Sequence, residues 1–133
     1  MENHQQKISH LKALYHLACA DKVLSKSETI YIRTVADRLG VSLEELGKPD
    51  CSEPDLILPG KEYKIYALFH RLAIILMIDG SVHDDEKSYC FNLGIKMGLH
   101  PNAIAEIIEH VTDHGPVETS PKVVMDIFRK YMS

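Results

Sequence analysis

Several features that would announce a function are scarce or missing here. There are three cysteines, Cys19, Cys51 and Cys90, an odd number with no CxxC spacing. Cys19 and Cys90 fall in apolar helical stretches and read as buried free thiols, which fits a reducing cytoplasm. Cys51 sits in a proline-rich loop where nothing local would lower its pKa, so it makes a poor nucleophile. There is no excess of basic residues. A formal charge of −4 lacks the cationic face of a nucleic-acid binder, so no nucleic-acid partner is expected. No segment reaches the roughly 20 apolar residues of a membrane span, and the polar start Met1–Gln6 carries no signal-peptide core. A glycine-rich phosphate loop and a GxSxG elbow are both missing, and the chain is expected not to be an enzyme. Nor does any segment alternate apolar and polar residues as a strand set would.

What is present is helical periodicity. With 133 residues, 45% of them hydrophobic, the chain is expected to form a single all-α domain over residues 1–133. Helix one is expected from about Gln5 to Ala20, with Ile8, Leu11, Tyr15, Ala18 and Cys19 inward. Ser25-Lys26-Ser27-Glu28 reads as a capping box opening helix two, which Gly40 ends. Ser42-Leu43-Glu44-Glu45 opens a short third helix. From Gly47 to Gly60, Pro49, Pro54 and Pro59 make a loop, with Leu56-Ile57-Leu58 expected to anchor it to the core. Helix four, Lys61 to Ile78, is apolar on nearly every side, as a helix buried all round or facing a partner would be. Helix five is expected from Asp84 to Met97, helix six from Pro101, and a last helix from Ser120-Pro121, over about 121–132. That makes seven helices.

At an offset of 58 residues, Asp21 meets Asp79, Glu28 meets Glu86, Tyr31 meets Tyr89 and Gly40 meets Gly98. Three of these identities sit at a turn or a helix end, and the tyrosines lie within the helices. The chain therefore reads as two pseudo-symmetric helix–acidic turn–helix units, about 5–47 and 61–111. Met77-Ile78-Asp79-Gly80-Ser81-Val82 with Glu86, followed by Met97-Gly98-Leu99, resembles the pattern of the TerB-like family, named for tellurite-resistance proteins. The first copy, Ala20-Asp21-Lys22-Val23-Leu24 with Glu28 and then Leu39-Gly40-Val41, departs from it at Lys22, where glycine is expected. The resemblance implies an all-helical cytosolic fold, acidic residues proposed to bind a divalent metal, and a role in stress response or protein interaction. It implies no reaction.

The acidic turns are the candidate site. Asp79, Gly80, Val82 and Glu86 match EF-hand loop positions 5, 6, 8 and 12, but Ile75 and Met77 occupy positions 1 and 3, where oxygens belong. A high-affinity calcium loop is thereby excluded. A weak Ca²⁺ or Mg²⁺ site remains an alternative, built from Asp79, Glu86, Asp84, Asp85, Asp21 and Glu28. The competing assignment is helix capping by Glu28 and Glu86, each in the first turn of a helix. Among eight histidines, His110 and His114 are at zinc-ligand spacing but sit at a helix end, where imidazole suits the dipole. His70, in helix four, reads as a core or interface histidine, and Arg71 as solvated or part of a docking patch for an acidic partner. The expectation is a small cytosolic, non-enzymatic module for protein interaction or stress response, partnered by another protein or by its own copy.

Overall fold

Capping residues set where the helices begin and end, and apolar periodicity sets which face turns inward. The computed structural model describes residues 4–19, 24–47, 62–78 and 84–131, apart from the Leu43 side chain. Among these residues the chain is all-helical: α1 (His4–Ala18), α2 (Lys26–Leu39), α3 (Leu43–Leu46), α4 (Glu62–Met77), α5 (Asp84–Lys96), α6 (Pro101–His114) and α7 (Pro121–Lys130). The expected anchor Leu56–Leu58 and the loop cysteine Cys51 lie outside the described residues.

The expected caps form. Ser25 Oγ accepts from the Glu28 N–H at 3.1 Å, and Glu28 Oε1 accepts from the Ser25 N–H at 2.9 Å. Two of the orphan donors at the start of α2 are thus satisfied reciprocally. Ser42 Oγ accepts from the Glu45 N–H at 3.1 Å to open α3. Ser120 Oγ accepts from the Val123 N–H at 3.3 Å, with Pro121 in the first turn of α7. Helices α2 and α5 end alike. Gly40 and Gly98 take φ of +76° and +80°, the left-handed region that glycine enters without steric cost. The following N–H groups reach back, Val41 to Ala36 O at 2.9 Å and Leu99 to Gly94 O at 3.1 Å. Each turn drops its apolar residue, Val41 or Leu99, into the core.

Helix α4 is the centre of the packing. It touches α1, α5, α6 and α7, and buries Leu68, Phe69, Leu72, Ala73, Ile75 and Leu76. Removing each of the large side chains from water contributes about 1.5–3 kcal/mol. Leu11, Leu14 and Leu17 of α1 meet them from one side, and Ile104, Ile107 and Val111 of α6 add to the same core. The Phe128 ring of α7 stacks on Tyr66 at 4.0 Å and meets Phe69 edge-on at 6.3 Å. Outside the core, Glu106 ties α6 to α7, accepting from Lys130 Nζ at 2.6 Å and Tyr131 Oη at 2.7 Å.

Of the two readings of helix α4, buried all round or facing a partner, the first is not met, because Ala67, His70, Arg71 and Ile74 form a half-exposed strip. One expectation is corrected. Cys19 is not a free thiol but disulfide-bonded. It sits half-buried in the turn just past α1 rather than in the core, so its sulfur is placed at a helix end. The thiol argument for a reducing compartment therefore rests on Cys90 alone, which is free and fully buried.

Gly94 allows α5 to lie close to its neighbours. A Cβ there would stand 2.7 Å from Ile104 Cδ1, 2.9 Å from Ile104 Cγ1 and 3.0 Å from the Phe69 ring. Alanine would improve helix propensity by up to about 1 kcal/mol, yet overpacking costs about 1–3 kcal/mol. Gly94→Ala is expected to lower stability in urea titration by about 1 kcal/mol or more. A stabilised Gly94→Ala would show that α5 shifts freely.

Candidate functional site

The acidic turns divide unevenly between described and other residues. Asp21 and Asp79 lie outside the described residues, as do Gly80 and His83. Glu28 and Glu86 are both buried, at 3% and 8% exposure, while Asp84 and Asp85 are exposed. Glu28 is occupied by the Ser25 cap. Glu86 stands at the equivalent place in the first turn of α5. Among the described residues no group of three or more His, Cys, Asp or Glu side chains is arranged to hold a metal ion. The His110 and His114 rings do lie together, with centroids 4.5 Å apart. His110, however, is committed elsewhere: its Nδ1 is 2.8 Å from Thr119 Oγ1.

Thr119 organises the other side of the molecule. Its hydroxyl donates to Gly115 O at 2.9 Å, so its oxygen must accept from His110 Nδ1–H. Its carbonyl accepts from His70 Nε2–H at 2.6 Å. Thr119 is fully buried, and these bonds satisfy the polar groups it takes from water. They also pin the segment between α6 and α7 against α4.

That pinned segment forms one wall of a cleft of about 540 Å³. Its floor is the half-exposed strip of α4, with Tyr63, Tyr66, Ala67, His70, Arg71 and Ile74. Tyr31 and Arg38 of α2 form the second wall. Pro116, Val117, Thr119 and Ser120 stand opposite, with Pro121, Val124 and Met125 of α7. Positions 63, 67, 70 and 74 recur at helical spacing, so one face of α4 supplies the floor.

The titratable groups have defined states. Burial pushes the Tyr31 phenol up to about 12 against the pull of Arg71 and Arg38, so it is a neutral donor near pH 7. Burial, with the hydrogen bond to Glu62 Oε1 at 2.6 Å, likewise raises Tyr66 to about 12. Burial lowers His70, against the bond to Thr119 and with help from Arg71. Arg71 itself is held from behind, its Nη1 donating to His10 Nε2 at 3.3 Å. That bond requires a lone pair on Nε2 and places the proton of neutral His10 on Nδ1, a buried atom with no partner. Such an arrangement places hydrogen-bond donors beside apolar side chains in one cleft.

Set against known protein families, curated proteins and solved structures, the chain matches none. Of the cleft residues, sequence reasoning gave His70 and Arg71 an interface or docking reading, whereas Tyr31 and Ser120-Pro121 entered only as repeat and helix-start marks and Arg38 did not enter. The one available signal was the second stripe on α4, at 63, 67, 70 and 74.

His10 makes a pH dependence. It is 2% exposed, and burial, with repulsion from Arg71, depresses it from 6.5 to about 3. Between those values the unfolded state binds the proton and the native state does not. Stability should therefore fall as pH drops below about 6.5, with a slope approaching about 1.4 kcal/mol per pH unit. Urea titrations between pH 7 and 4 should show this slope flattened in His10→Gln. An unchanged slope would assign the loss to other groups.

Proposed function

We propose that this chain is a non-enzymatic binding module of TerB-like character, and that the α2–α4–α7 cleft is its recognition surface. Supporting the two-unit architecture, α2 and α5 end 57 residues apart at Leu39 and Lys96, each followed by a left-handed glycine. Gly40 and Gly98 close the two units with the same bonding pattern, and Ile32 and Cys90 occupy matching, fully buried places. The recognition role rests on one observation: the cleft joins an apolar wall to arginine, tyrosine and histidine side chains on three elements. Stress response or protein interaction is the biological setting that suits such a module.

The cleft is tested with the uncharged fluorescent probe N-phenyl-1-naphthylamine. Saturable binding is expected in the native protein. It should be lost in Ala67→Trp, which fills the floor while leaving the helical circular dichroism unchanged. Equal binding to both proteins would place recognition elsewhere.

The burial of Glu28 and Glu86 at matching helix starts also fits a second reading, a Ca²⁺- or Mg²⁺-binding protein using the acidic turns. The capping role of Glu28 and the exposure of Asp84 and Asp85 count against it. Millimolar Ca²⁺ or Mg²⁺ is expected to leave the melting temperature unchanged, since only a ligand of the native state raises it. A rise abolished in Glu86→Gln would favour the metal instead.

A further inference from the structure

We propose that His110 and His114 form a two-imidazole site for a divalent metal ion of the Zn²⁺ class, at the end of α6 and separate from the acidic turns. Spacing is the first argument. Residues four apart on a helix stand one above the other. Here the two rings lie with their centroids 4.5 Å apart. Two imidazoles bound to one ion through nitrogens about 2.1 Å away, at roughly 90–110° to each other, have centroids roughly 4.5–5.2 Å apart. The pair therefore stands near the separation that a shared ion requires.

The second argument is the tautomer. The Thr119 hydroxyl spends its hydrogen on Gly115 O, so its oxygen accepts from His110 Nδ1–H at 2.8 Å. That bond occupies Nδ1 and leaves the lone pair of neutral His110 on Nε2, the form in which imidazole ligates. Metal-binding histidines characteristically donate the other ring N–H to a protein oxygen, which fixes the ring. Thr119 fills that role from a fully buried position, so the ring is held before an ion arrives. His114, exposed at the last position of α6, is free to turn a nitrogen toward the same ion.

Charge is the third. Helix α6 contains Glu106, Glu109 and Asp113 but no lysine or arginine. Lys130 answers Glu106 at 2.6 Å, and Lys87 shares a cleft with Glu109 and Asp113. The negative end of the α6 dipole lies at His114 and favours a cation. No third His, Cys, Asp or Glu joins the pair among the described residues, so water completes the shell. Imidazole donors select Zn²⁺, Ni²⁺ or Cu²⁺ over Mg²⁺ and Ca²⁺, which take oxygen ligands.

Calorimetric titration with Zn²⁺, and with Mg²⁺ as the oxygen-preferring control, tests the site. Zn²⁺ is expected to bind and to raise the melting temperature, as a ligand of the native state does, and Mg²⁺ to do neither. The chain has eight histidines, so a variant must assign the ion. His114→Ala changes an exposed side chain and should keep the metal-free melting temperature while losing both the Zn²⁺ isotherm and the rise. Thr119→Val removes the hydroxyl at nearly constant shape and should weaken Zn²⁺ binding roughly 10–100-fold, and Thr119→Ser should restore it. Zn²⁺ binding that is absent, or unaltered in His114→Ala, overturns the site. Native affinity in a folded Thr119→Val overturns the positioning by Thr119. If Thr119→Val does not fold, His114→Ala alone decides.

Discussion

Helix α4 is too apolar to face water, and the rest of the molecule follows from covering it. Six of its side chains, from Leu68 to Leu76, lie in the core. Covering them takes α1, α5, α6 and α7. The surrounding helices leave a half-exposed strip, which carries Ala67, His70, Arg71 and Ile74. The cleft is therefore the part of α4 that the surrounding helices leave open. Its polar residues are placed where burial is incomplete, which spares the Arg71 guanidinium an excessive desolvation cost.

Polar satisfaction then fixes the walls. The segment joining α6 to α7 runs against an apolar helix, so its buried backbone and hydroxyl groups need partners. Thr119 meets that need through Gly115, His110 and His70 at once. His70 is thus a structural donor as well as part of the cleft lining, and losing it would strand a buried carbonyl. On the far side, His10 supplies a lone pair to Arg71 and leaves its own Nδ1–H unpaired. An orphan buried donor costs about 1–3 kcal/mol. The chain tolerates that cost at the position which orients the arginine.

Local chemistry was legible in the sequence and long-range approach was not. Ser25 with Glu28, Ser120 with Pro121, and glycine at 40 and 98 announce helix ends through interactions spanning a few residues, and each appears where those residues place it. The all-helical class followed from the same short-range evidence. The cleft depends on contacts between residues 49 and 61 positions apart, His70 with Thr119 and His10 with Arg71. No periodicity encodes which helix faces the strip on α4. Cys19 was misread for a related reason: apolar neighbours argue for a buried thiol, but disulfide formation depends on what approaches from elsewhere. Glu28 illustrates a different limit, because an acid in a first helical turn suits a cap and a metal loop equally until its burial and its bond are known.

That ambiguity yields to magnitudes. The Ser25–Glu28 box satisfies two backbone donors, and losing a cap typically costs about 1 kcal/mol. A weak divalent ion at a concentration equal to its Kd stabilises the native state by only about 0.4 kcal/mol. An ion that drew Glu28 away from Ser25 would thus lose more than it gained, unless it bound well below its free concentration. Tight binding of that kind needs six or more oxygens, and the residues preceding each turn carry no side-chain oxygen, Leu17 and Cys19 in one unit and Ile75 and Met77 in the other. Leu17 and Ile75, which help build the core, thus occupy places where a strong site would need ligands. Demand for burial in α1 and α4 thus leaves Glu28 to serve the backbone at the start of α2.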